Sequence, residues 1–110
     1  MEKLNIIFCT VPVAKAVSLS TTLVSQKVAA CVNIVNNVRS IYQWEGKICD
    51  DTEALLIIKT PHNLCEQLFA VIKKEHPYDV PEIISLTATE VADSYLQWAI
   101  TSTSEKNYTA

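Results

Sequence analysis

Few side chains in this 110-residue sequence can carry chemistry: two histidines, His62 and His76, and four cysteines, Cys9, Cys31, Cys49 and Cys65. A thiolate paired with an imidazole is a donor set suited to copper or zinc. Cys9 ends a predicted first strand, and Glu75 and His76 end a predicted second helix. A metal centre forms there if the fold, or a neighbouring copy, brings those ends together. A helix C-terminus also favours an imidazolium, so a plain capping role competes for His76. His62 falls in the first turn of the same helix and reads as solvated. No C-x-x-C pair, nucleophile elbow, H-E-x-x-H run or recognisable Ser–His–Asp spacing occurs. Zinc ribbons, thioredoxin-like exchange and the common hydrolase mechanisms therefore have no footing, and no enzymatic activity is expected.

Composition narrows the classes further. The chain holds a single glycine, Gly46, whereas a phosphate-cradling P-loop needs two and a dinucleotide fingerprint three. Lys and Arg total 9 against 12 Asp and Glu, a net charge of −3, and no basic cluster exceeds the pair Lys73-Lys74. Nucleic acid is thus not an expected partner. The first ten residues carry Glu2 and an apolar run broken by Asn5, which matches neither a secretory core nor a membrane span. Three of the cysteines lie in apolar or amphipathic stretches, where a thiol serves as a small buried hydrophobe, so reduced thiols in a cytoplasmic protein are expected.

The elements that must position these residues follow from periodicity. Leu4 to Thr10 predicts a strand apolar on both faces, and Pro12 breaks it. Val13, Ala16, Val17, Leu23, Val24 and Val28 predict a helical stripe. Ala30 to Glu45 and Lys47 to Lys59 read as two β arms joined by a turn at Gly46. Thr60 is expected to cap a helix that starts at Pro61 and is marked by Leu64, Leu68 and Ile72. Glu82 to Thr87 is a last strand, and Val91, Tyr95, Trp98 and Ala99 mark a C-terminal helix. The order βαββαβ plus a helix predicts an α+β, ferredoxin-like fold with helices on one face of an antiparallel sheet. The domain is expected over residues 1–103, with a polar tail over 104–110.

The hairpin is longer than such a body needs. An unbroken arm of that length reaches roughly 45 Å at about 3.3 Å per residue, against a radius of gyration of about 13 Å for a domain this size. The arms either break, with Asn36-Asn37 and Asp50-Asp51 as bends or bulges, or carry their tip past the body. That tip holds Ile41, Tyr42, Trp44 and Ile48, which predicts association between copies. The single arginine, Arg39, falls opposite Asp51 to Glu53 and reads as an ion pair or an anion contact.

The segments F-C-T (8–10), K-V-A-A-C-V-N (27–33), Y-Q-W-E-G-K (42–47), I-K-T (58–60), H-P-Y-D-V-P-E (76–82) and Y-L-Q-W (95–98) resemble the divalent-cation tolerance family, CutA. The resemblance implies a tight homotrimer with long hairpins completing neighbouring sheets, similar to the trimeric nitrogen-regulatory signalling proteins. It also implies binding of copper or other divalent ions, zinc among them, by a strand-one cysteine and a His-His pair. By position those ligands are Cys9 and His76, with Glu75 where the first histidine would stand, a harder donor that retunes the site. A second expectation is a small-ligand sensor or scaffold. Its cleft between subunits would be lined by some of Tyr42, Trp44, Glu53, Lys59, Tyr78 and Glu82, which mix aromatic faces with both charges. Interface packing is the plainer role for the same residues.

Overall fold

Alternation along the first strand sets the layers. In β1 (Leu4–Val11) Asn5, Ile7, Cys9 and Val11 are buried, while Ile6, Phe8 and Thr10 are only half-buried on the opposite face. The computed structural model describes residues 2–104. A 3-10 turn (Val13–Lys15) leads into α1 (Ala16–Ser25), followed by β2 (Cys31–Trp44) and β3 (Lys47–Pro61). A second 3-10 turn (His62–Leu64) opens α2 (Cys65–Glu75), and β4 (Ile83–Thr87) and α3 (Asp93–Ser102) complete the chain. The sheet order is β2-β3-β1-β4 with every pairing antiparallel. This is the α+β, ferredoxin-like arrangement expected from the element order. No described helix is long and apolar enough to cross a membrane.

The core lies between one sheet face and the helices α1 and α2. Ile7, Cys9, Val11, Ala54, Leu56 and Ile58 from the sheet pack with Ala16, Leu19, Leu23, Leu68 and Ile72 from α1 and α2. Each fully buried Leu or Ile contributes about 1.5–3 kcal/mol over its exposed state. At the end of the sheet away from the hairpin tip, Leu96 and Ala99 of α3 close over Leu4 and Ala30.

Several local expectations are corrected. The first helix is shorter than the stretch from Val13 to Val28, and its buried face is Ala16, Leu19, Ser20 and Leu23. Those positions keep i, i+3, i+4, i+7 spacing, which leaves Val13, Val17 and Val24 exposed about a quarter-turn away. Thr60 is no helix cap. It is the penultimate residue of β3, fully buried, and its Oγ1 donates to the carbonyl of Val28 at 2.7 Å. Pro61 ends the strand and caps the 3-10 turn, so the helix proper starts at Cys65. In α3 the inward residues are Leu96 and Ala99, while Tyr95 and Trp98 stack outside at 5.5 Å between ring centroids. Of the expected tail, residues 105–110 lie outside the described residues.

The hairpin uses both devices anticipated for it. Its pairing runs unbroken through Ser40–Asp51 and Ile41–Asp50, so no bend occurs at Asp50-Asp51. At Asn36-Asn37 the register shifts: Val35 faces Leu55, but Val38 faces Glu53. Asn37 takes φ 63°, the left-handed conformation that asparagine tolerates better than most residues. At the tip Glu45 and Gly46 have φ 51° and 78°, the two positive values a two-residue primed turn requires. The molecule is accordingly 50 Å long on its main axis and only 22 Å on its shortest.

Candidate functional site

The bulge decides which way the ribbon's aromatics face. Before it, Val32 and Ile34 pack toward the helices with Ile58 and Leu56 as partners. One extra residue in β2 reverses the parity, so Val38, Ser40, Tyr42 and Trp44 share a face with Glu53, Asp51, Cys49 and Lys47. That is the open face of the sheet, the side of Thr10. The loop after α2 folds over it. The Tyr78 hydroxyl donates to Glu53 Oε2 at 2.8 Å, and Glu53 is only 6% exposed. Tyr42 donates to Asp51, which holds the Tyr42 phenol well above its ordinary range. Burial and the Glu53 carboxylate push Tyr78 up to about 12.

Between ribbon and loop lies a cleft of about 710 Å³. Tyr42, Trp44, Glu53, Tyr78 and Glu82 line it, so five of the six residues expected in a ligand cleft are brought together. Lys59 is not among them; it sits in β3 opposite Ile6 and Cys31, well down the strand. The lining instead adds Asp51 and Asp79, so its charged residues are all carboxylates. The cleft is acidic, not mixed in sign. Sequence reasoning missed Asp51 and Asp79; parity across the bulge, invisible in composition, puts Asp51 beside Tyr42. Of the ribbon's other basic residues, Lys47 pairs with Trp44 at the tip without lining the cleft, and Arg39 is spent on a two-pronged pair with Asp50 at 2.9 and 2.7 Å.

Cys9, Glu75 and His76 are placed differently. Cys9 is fully buried in the core beneath the cleft. Burial first, then the carboxylates of Glu82 and Glu53, push its thiol up to about 12, so the sulfur stays protonated. His76 is buried at the end of α2, with Nε2 2.8 Å from the Thr10 carbonyl and Nδ1 3.1 Å from the Tyr78 amide nitrogen. A carbonyl only accepts and an amide N–H only donates, so Nε2 carries the proton and the Nδ1 lone pair is taken. The imidazole neither caps the helix as a cation nor retains a free lone pair. Glu75 lines a separate hollow of about 220 Å³ with Lys15, Ser18 and Thr22. Among the described residues no group of three or more His, Cys, Asp and Glu is arranged to hold a metal ion. The centre expected here would draw on a Cys9 thiolate and a His76 lone pair, and this trio supplies neither as it stands. His76 instead fixes the Tyr78 loop against β1, and that fixes the cleft wall.

A model of the CutA1 divalent ion tolerance protein family matches residues 5–102. The chain is 46% identical to the chloroplastic CutA protein of Arabidopsis thaliana over 99 residues, covering 89% of this chain but only 54% of that protein. It is 40% identical to the divalent-cation tolerance protein CutA of Thermus thermophilus over 95 residues, covering 86% of this chain and 92% of the relative. The crystal structure of CutA1 from Ehrlichia chaffeensis superposes with a TM-score of 0.90 at 34% identity, covering 94% of this chain and 98% of that one.

Proposed function

The chain belongs to the CutA1 divalent ion tolerance family, and we propose that it acts by binding, as a cytoplasmic homotrimer without catalytic activity that holds divalent cations in the acidic cleft. The observation that carries this reading is the charge of the cleft wall: Asp51, Glu53, Asp79 and Glu82, with no Lys, Arg or His among the lining residues. Carboxylate and phenol oxygens are hard donors, suited to manganese, magnesium or calcium before copper. In one chain they do not close into a cage. The trimer supplies the remaining wall, since Ile41 and Ile48 at the tip and Ile84 and Leu86 on the open sheet face are all at least half exposed and such apolar surface seeks a partner. The four cysteines are all free, which suits a reducing compartment.

Calorimetric titration of manganese(II) into the wild type and a Glu53→Gln/Glu82→Gln variant tests the assignment. The variant is expected to bind at least ~10-fold more weakly, about 1.4 kcal/mol. Equal affinity would remove the cleft from cation binding.

The volume favours a second reading, a small-ligand sensor, because about 710 Å³ exceeds the needs of an ion. An acidic, aromatic cleft selects a positively charged organic ligand. A Trp44 emission unchanged across amines, amino acids and nucleotides argues against it.

A further inference from the structure

Glu53 is buried without a counter-charge. It is 6% exposed, and among the described residues the one side chain that hydrogen-bonds to its carboxylate is Tyr78, whose hydroxyl donates to Oε2. Its Oε1 accepts from no described residue, although the side chain lines the cleft. Buried carboxylates are ordinarily paired with a cation or given a full set of donors, and no Lys, Arg or His lines this cleft. Asp51, two residues back along β3, repeats the pattern: Tyr42 donates to Oδ2, and Oδ1 accepts from no described residue.

Alternate residues of a strand share a face, with Cα atoms about 6.6 Å apart at about 3.3 Å per residue. The cleft therefore offers two phenol-tethered carboxylates at that separation, each with one oxygen still to be satisfied. Their surroundings differ. At the inner end Glu82 stands with Glu53, since both carboxylates act on the Cys9 thiol in the core beneath. At the outer end Asp51 shares the ribbon face with Tyr42 and Trp44, both exposed, and aromatic rings attract organic cations. Among the described residues no three acidic groups converge on one point, as a lone metal ion needs. Two positive charges held apart suit the cleft better than one.

We propose that the cleft takes a straight-chain aliphatic diamine, with one ammonium on Glu53 and Glu82 and the other on Asp51 beside Tyr42 and Trp44. This rests on the cleft being a site for positive charge, as proposed above, and identifies the cation. Each bond of an extended alkyl chain advances about 1.25 Å, so four carbons hold the terminal nitrogens about 6 Å apart and five about 7.5 Å. Those lengths bracket the separation of the two carboxylates.

Calorimetric titration of the whole protein with tetramethylenediamine, ethylenediamine, butylamine and manganese(II) tests the assignment, with Trp44 emission as a second readout. Tetramethylenediamine is expected to bind the wild type at least ~10-fold more tightly than butylamine, which carries one charge. The same margin is expected over ethylenediamine, whose nitrogens stand only about 4 Å apart. Asp51→Asn and Glu53→Gln each keep an acceptor for the phenol, and each is expected to erase the preference. Equal affinity for the three amines, or a preference that survives both substitutions, would overturn the proposal. Manganese binding that needs Glu53 and Glu82, with no diamine bound, would overturn it too while leaving the cleft a metal site. If neither manganese nor any amine binds, the reading of the cleft as a cation site falls with it.

Discussion

Cys9 shows what burial does to a thiol. Cys9 sits in the core beneath two cleft carboxylates, and its pKa rises from 9.0 to about 12. A thiol whose folded pKa exceeds its unfolded value favours the folded state fully below pH 9, and that contribution is lost as pH climbs toward 12. Stability measured by denaturant between pH 9 and 12 is therefore expected to fall, by up to roughly 1.4 kcal/mol per pH unit from this group. In Cys9→Ala the slope should flatten over the same window; an unchanged slope would mean that the thiol does not couple to folding. Reading Cys9 as a possible ligand was reasonable from position alone. Its burial was also legible, since alternate residues of β1 face the helices. What no sequence pattern shows is that both nitrogens of His76 are occupied by backbone groups from Thr10 and Tyr78, because those partners meet only once the loop has folded.

Among the elements, the β2–β3 ribbon was the most legible, because two long β-rich arms around a lone glycine have few alternatives. Helix starts were less so: Thr60-Pro61 carries the signals of an N-cap, yet pairing with Asn5 keeps Thr60 in the strand. The bulge had a sequence mark, two adjacent asparagines, but its effect on facing did not. Asn37→Val is expected to cost about 1–2 kcal/mol, since a β-branched residue resists the left-handed conformation, whereas Asn37→Gly should be near neutral. Gly46→Ala should cost about 1 kcal/mol by the same strain, for an added Cβ meets nothing within 4 Å. Melting temperatures at fixed protein concentration decide both, and an Asn37→Val protein as stable as the wild type would contradict the stated role of the bulge.

At the scale of the molecule, the helices cover one face of the sheet and leave Ile84 and Leu86 half exposed on the other. Burying such surface between copies is the proposed driving force of assembly. Ile84→Asp/Leu86→Asp is expected to shift the sedimenting species from trimer to monomer at micromolar concentration, and a trimer that survives both charges would place the contact elsewhere. The ribbon also constrains how this chain can change over descent. Adding or losing a single residue of β2 between the bulge and Tyr42 would turn Tyr42 and Trp44 away from the carboxylates they now face. Length can drift only by matched steps of two residues in each arm, which keep both the pairing and the facing, even where the identity of each residue is free to vary.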